Sequence, residues 1–167
     1  MSETRFRYRV ALALALALVS LVAMPSVTRA EIVGEVDTAF RWLGKDDRIV
    51  VEAFDDPKVV GVTCFVSRAR TGGVKGTIGL AEDTSDASIA CRQIGSTVRI
   101  EEKLPLQEDV FTTRTSILFK KLHVVRIVDP KRNALVYLTY SDKLIDGSPK
   151  NAVTAVAIDS SVPIPTK

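Results

Sequence analysis

Apolar and polar residues alternate with a period of two along most of the chain, the pattern of strands that bury one face. RIVVEAF (48–54) is rich in β-branched residues and stops at the turn-forming Asp55-Asp56-Pro57. From Val59 to Arg68, the spacing puts Val60, Val62, Cys64 and Val66 on one face and Thr63, Phe65 and Ser67 on the other. Gly72-Gly73 interrupts the run, and VKGTIGLA (74–81) resumes an extended pattern thinned by Gly76 and Gly79. VFTTRTSILF (110–119) and LHVVRIV (122–128) predict two more strands. The polar turn Asp129-Pro130-Lys131-Arg132-Asn133 then leads into ALVYLTYS (134–141), which makes 122–141 a hairpin. Asp146-Gly147-Ser148-Pro149 marks another turn before a last strand in AVTAVAI (152–158). Ile32 to Leu43 suits either a strand or a helix, and its start reads as strand.

One stretch departs from this period. In AEDTSDASIAC (81–91), Asp83, Thr84 or Ser85 can cap a helix by accepting from free backbone N–H groups. Ala87, Ala90, Cys91 and Ile94 recur at three- and four-residue steps, and Gly95 follows as a stop. Asp83 and Asp86 fall in the first turn, where a helix favours negative charge. The fold class expected is therefore α+β: a mainly antiparallel β-sheet, barrel-like or sandwich-like, with one short helix.

The first thirty residues set a compartment. Arg5, Arg7 and Arg9 precede the apolar run Val10 to Met24, Pro25 breaks it, and Thr28-Arg29-Ala30 ends in small residues. A charged start, a short apolar segment and a small-residue exit describe a secretory signal peptide cleaved after Ala30. The run is shorter than the ~18–20 residues that span a bilayer, so no stable membrane anchor is expected after cleavage. Residues 1–30 are thus read as leader, 31–160 as a single domain, and 161–167 as a flexible tail, because SSVPIPTK carries two prolines without donors. Cleavage takes four arginines and one glutamate from 23 basic and 20 acidic residues, which leaves a neutral chain. Such a chain gives no electrostatic case for nucleic acid.

Few residues point to chemistry. Glu82, Asp83 and Asp86 lack the central glycine and distant glutamate of a calcium loop. One histidine and two cysteines are too few for a transition-metal site, so neither a metal nor a cofactor is expected. In RTGGVKGTIG (70–79) Lys75 precedes its glycine, against the order of a phosphate loop, and the spacing also misses the dinucleotide fingerprint. His123 lies on the face of its strand shared with Val125 and Ile127, with no nucleophile elbow in the chain. Carboxylates are numerous, and a paired-carboxylate hydrolase stays open as an alternative.

Four long segments carry a resemblance: IVVEAFDDPKVVGVTCFVSRARTGG, GLAEDTSDASIACRQIG, RTSILFKKLHVVRIVD and KRNALVYLTYSDKLIDGSPKNAV. Through them the chain resembles the CreA family of exported bacterial proteins across nearly all of the region after the leader. The resemblance implies a periplasmic protein, has no established activity attached to it and transfers no catalytic residue. Cys64 and Cys91 match the two cysteines of that family. In an oxidising compartment an isolated pair is most simply a disulfide; separately buried thiols or a redox couple are the alternatives. The reading on these grounds is a periplasmic, non-catalytic binding or accessory protein with a protein or small-molecule partner in the cell envelope. A secreted hydrolase and an envelope structural or stress factor are the rival classes.

Overall fold

The computed structural model describes residues 29–40, 42, 46–72, 86–114, 121–142 and 149–167. In chain order the strands are β1 (Glu31–Ala39), β2 (Asp47–Asp55), β3 (Val59–Val60), β4 (Val62–Arg70), β5 (Ala87–Gln93), β6 (Arg99–Ile100), β7 (Gln107–Arg114), β8 (Lys121–Asp129), β9 (Ala134–Ser141) and β10 (Asn151–Ala157). They form two four-stranded antiparallel sheets, β1-β2-β4-β5 and β10-β9-β8-β7, with a small β3–β6 pair beside them. Alternation makes this arrangement. Along β4, Val62, Cys64, Val66 and Arg68 are buried while the residues between them are not. Along β9, Leu135, Tyr137, Thr139 and Ser141 are buried in the same way. The inward rows of both sheets make one apolar cluster, in which Phe54 of β2 stacks on Phe111 of β7 with ring centroids 4.4 Å apart. β5 lies along β10, so the sheets also approach each other at that side.

The described residues contain no helix, and the α+β expectation is corrected to all-β. Ala87–Gln93, read as a helix, is β5, paired with β4 from Val62↔Gln93 to Arg68↔Ala87. The helical spacing of Ala87, Ala90 and Cys91 competes with an equally good period-two set, and Ile89 and Cys91 are the residues buried. Pairing with a distant strand decides between them, a contact that no local pattern contains. The expected capping residues Asp83, Thr84 and Ser85 lie outside the described residues, as do the glycine-containing stretch 73–80 and the turn at 146–148.

Two smaller expectations also change. Alternation puts Val60 on the face of Val62, but Gly61, with φ of 92°, shifts the phase, so that Val59 is buried and Val60 exposed. A Cβ at Gly61 would meet the Thr97 carbonyl oxygen at 2.5 Å, so the chain can pass there only without a side chain. The tail expected to be flexible instead docks along Leu104. The Leu104 N–H donates to the Pro165 carbonyl at 2.8 Å, and the Lys167 N–H donates to the Leu104 carbonyl at 2.9 Å. Ile164 joins the core cluster. Prolines lose a donor but keep an acceptor, and an extended proline-containing segment can still be held through its carbonyls. Asn133, at φ 49° in the β8–β9 turn, completes the clamp. Its side-chain amide donates to the carbonyls of Ile158, Asp159 and Val162, and its carbonyl oxygen accepts from the Ile164 N–H.

Candidate functional site

At the end of the sandwich that holds the tail, a charged cluster is closed off from water. Arg126 of β8 and Asp56, in the turn after β2, have fully enclosed side chains, with Nη1 2.5 Å from Oδ1. The other terminal nitrogen of Arg126 pairs with Glu108 of β7. Tyr137 donates its hydroxyl to Asp56 Oδ2 at 2.8 Å, and the Lys58 backbone N–H donates to Oδ1 at 2.9 Å. Burial, and then the Asp56 carboxylate, push the Tyr137 phenol well above the ordinary tyrosine value. Outward from this cluster, Lys58 Nζ bridges Glu108 at 2.6 Å and Glu102 at 3.3 Å. The hydrogen bond to Glu108 is the main reason the Lys58 amine is held above its usual range, with burial opposing it. Arg126 ties the turn after β2 of one sheet to β7 and β8 of the other. That is a fastening role, since each carboxylate of the cluster is paired with a cation.

The opposite end carries three arginines, of which Arg68 is buried. Arg48 and Arg70 are directly opposed on β2 and β4, and Arg68 sits two residues further along. Glu52 lies between Arg68 and Arg70, at 2.6 and 2.7 Å, while Glu35 of β1 approaches Arg48 at 3.0 Å. Burial pulls the Arg68 guanidinium below its ordinary value, with Glu52 opposing that shift. Nearby, Asp86 at the start of β5 pairs with Lys150 ahead of β10 at 2.5 Å. Asp86 was read as a helix first-turn residue; here it joins the two sheets across their side.

His123 has the placement its phase predicts, on the outer face of β8 with Val125 and Ile127. It sits in a cross-strand row between Thr112 and Tyr140 and stacks on the Tyr140 ring at 5.0 Å. Nδ1 is 3.4 Å from the Thr112 hydroxyl and 3.8 Å from Asp109, and Nε2 is 3.1 Å from Asp142. That last contact lies off the ring N–H direction and leaves Nε2 buried without a hydrogen bond. Burial, then Asp109 and Asp142, raise the Tyr140 phenol. A hydroxyl, an imidazole and two carboxylates are all present, but both acids are substantially exposed. Among the described residues no group of three or more His, Cys, Asp or Glu side chains could hold a metal ion.

The surface offers a different kind of site. β1 is the edge strand of its sheet, and every one of its nine residues is exposed, so it projects past the sandwich as a ledge with both faces wet. Ile32, Val33 and Val36 stand on it, and Phe40 and Trp42 follow at 77% and 92% exposure. The two rings alone present roughly 300 Å² of largely apolar surface. Clustered exposed aromatic and aliphatic side chains on a folded protein mark candidate binding surfaces. Here lies the candidate functional site. A strand-like start at Ile32 is its one trace in the sequence, because alternation cannot say that a face has nothing packed on it.

Of the residues singled out from the sequence, Cys64 and Cys91 are directly opposite on β4 and β5, fully buried and joined by a disulfide. The bond links neighbouring strands of one sheet, not a helix to a sheet. Ala30 directly precedes β1 and packs half-buried against the core cluster. Asp56 and Arg126 were not singled out. The signal for Arg126 was present, since it is in phase with Leu122, Val124 and Val128 on the buried side of its strand.

No solved structure matches this chain. A family profile described as CreA protein matches residues 33–161, a span that includes most of the ledge and almost all of the core. The chain is 56% identical over 143 residues to Protein CreA of Escherichia coli strain K12, which covers 84% of this chain and 91% of that relative. Protein CreA of Escherichia coli O6:H1 and of O157:H7 are similar to the same degree. With a profile over most of the chain and such identity across nearly the full length of the relatives, the chain belongs to the CreA family.

Proposed function

We propose that this protein is exported to the periplasm and acts there without catalysis, as a binding or accessory protein that engages a protein partner through the β1 ledge. One observation carries the reading: five large apolar side chains, Ile32, Val33, Val36, Phe40 and Trp42, stand exposed on and just beyond a single edge strand. Aromatic anchors of this kind supply most of the energy in protein interfaces. The charged clusters support the same reading from the other side. The carboxylates withdrawn from water, Glu52 and Asp56, each face arginine, which serves cohesion better than proton transfer.

The test is site-specific photocross-linking in intact cells. A photoreactive residue at Val36 should trap one discrete partner band, whereas the same residue at Val153, exposed on the other sheet, should trap none. Equal trapping from both positions, or none from Val36, would rule the ledge out.

A further inference from the structure

We propose that the occupant of the ledge is an extended segment of alternating basic and apolar residues, which adds to the free edge of β1 as a further strand. This rests on the reading of the ledge as a protein-binding site and specifies its partner. β1 hydrogen-bonds to β2 along one edge, and among the described residues no backbone hydrogen bond engages its other edge. A row of unpaired N–H and C=O groups is a template for another strand, with main-chain hydrogen bonds giving affinity and alternate side chains giving specificity.

Charge selects the strand. β1 carries Glu31, Glu35 and Asp37 and no basic residue. Among the described residues, only Glu35 has a close cationic partner, Arg48. A second copy of the chain pairing through the same edge would bring these acids against themselves, and like charges on adjacent strands repel. The acids therefore hold copies of the protein apart. They favour a segment that sets lysine or arginine beside Glu35 and Asp37, which share one face of the central run, and an apolar side chain beside Val36 on the other face. Bulges between Ile32 and Gly34 and between Asp37 and Ala39 limit the pairing to the short central run. Phe40 and Trp42 then flank the added strand at one end.

Trp42 is the only tryptophan in the chain, so its emission reports from the ledge itself. The protein as processed by the cell is titrated with a peptide of about ten alternating lysine and valine residues. The expected result is a saturable blue shift of the Trp42 emission, with affinity about tenfold tighter than for an alternating glutamate–valine peptide. Methylating the lysine–valine backbone at every second amide should weaken binding about tenfold, because it removes the ladder donors. The double variant Glu35→Lys, Asp37→Lys, altered only at exposed positions, should reverse the peptide preference. Equal binding of both peptides, no effect of backbone methylation, or an unchanged preference in the charge-reversed protein would each overturn the proposal. So would a stable dimer of the protein alone with Trp42 buried, or a saturable shift on phosphatidylglycerol vesicles. If Val36 traps a partner in cells while the lysine–valine peptide does not bind, the strand chemistry falls and the ledge stands. If neither occurs, both fall.

Discussion

Arg126→Met tests the buried charge cluster most directly. The substitution removes a fully enclosed guanidinium that faces Asp56 at 2.5 Å and also pairs with Glu108. Glu108 keeps Lys58 at 2.6 Å and lies partly in water, so it is not stranded. Asp56 is stranded. Its enclosed carboxylate retains only the Tyr137 hydroxyl at 2.8 Å and the Lys58 N–H at 2.9 Å. Removing one partner of a buried pair costs about 3–5 kcal/mol, because the remaining charge is uncompensated. Against a domain stability of about 5–15 kcal/mol, this is a large share of the folding free energy. Adding Asp56→Asn removes the stranded charge and keeps an oxygen for the Lys58 N–H. The double variant should therefore recover about 2 kcal/mol, as a coupling energy in a double-mutant cycle. Urea denaturation followed by far-ultraviolet circular dichroism measures all four proteins with the disulfide intact. If Arg126→Met lies within about 1 kcal/mol of the parent, or the double variant is no more stable than the single, the cluster is not holding the sheets together.

Alkali should act through Tyr137. The unfolded chain ionises this phenol near its ordinary value of 10, while the folded protein resists. Its contribution is complete below about pH 10 and is lost above, at about 1.4 kcal/mol per pH unit. Denaturation midpoints across that range should fall less steeply in Tyr137→Phe, and an identical slope would refute the assignment. Replacing Cys64 and Cys91 together by Ala should cost about 3–4 kcal/mol by loop entropy for a separation of 27 residues. Thiol labelling of unfolded, unreduced parent protein should find no free cysteine, and two labelled thiols would refute the bridge in the cell. Intact-mass analysis of the exported protein should place its first residue at Glu31, whereas a full-length species held in the inner membrane would contradict the leader reading.

The strands that could be read from the chain are those whose burial is one-sided. RIVVEAF, LHVVRIV and ALVYLTYS each become part of a strand close to the expected bounds, because one face meets the core and the other water. Segment 87–93 could not be read. Its small residues satisfy two periods at once, and only the partner strand β4, with Cys64 opposite Cys91, selects one. The docked tail was hidden for a related reason. Ile164 between two prolines looks locally structureless, and what holds it is Leu104 and the Asn133 turn, far away in sequence. The ledge was hidden because exposure is a property of what is not packed on a strand. Arg126, by contrast, is legible: a charged residue in phase with an apolar row announces burial, and burial of a guanidinium requires carboxylates nearby.

The disulfide has a topological consequence. Because Cys64 and Cys91 are joined across adjacent strands, the chain between them is a covalent ring, and a slip of one residue between β4 and β5 is blocked. A peptide-bond break between Arg70 and Asp86 would open that ring without releasing either piece, so the nicked protein would travel as one species until reduced. For the same reason, a foreign sequence spliced between β4 and β5 would not have to specify their register, which the sulfur bond already sets.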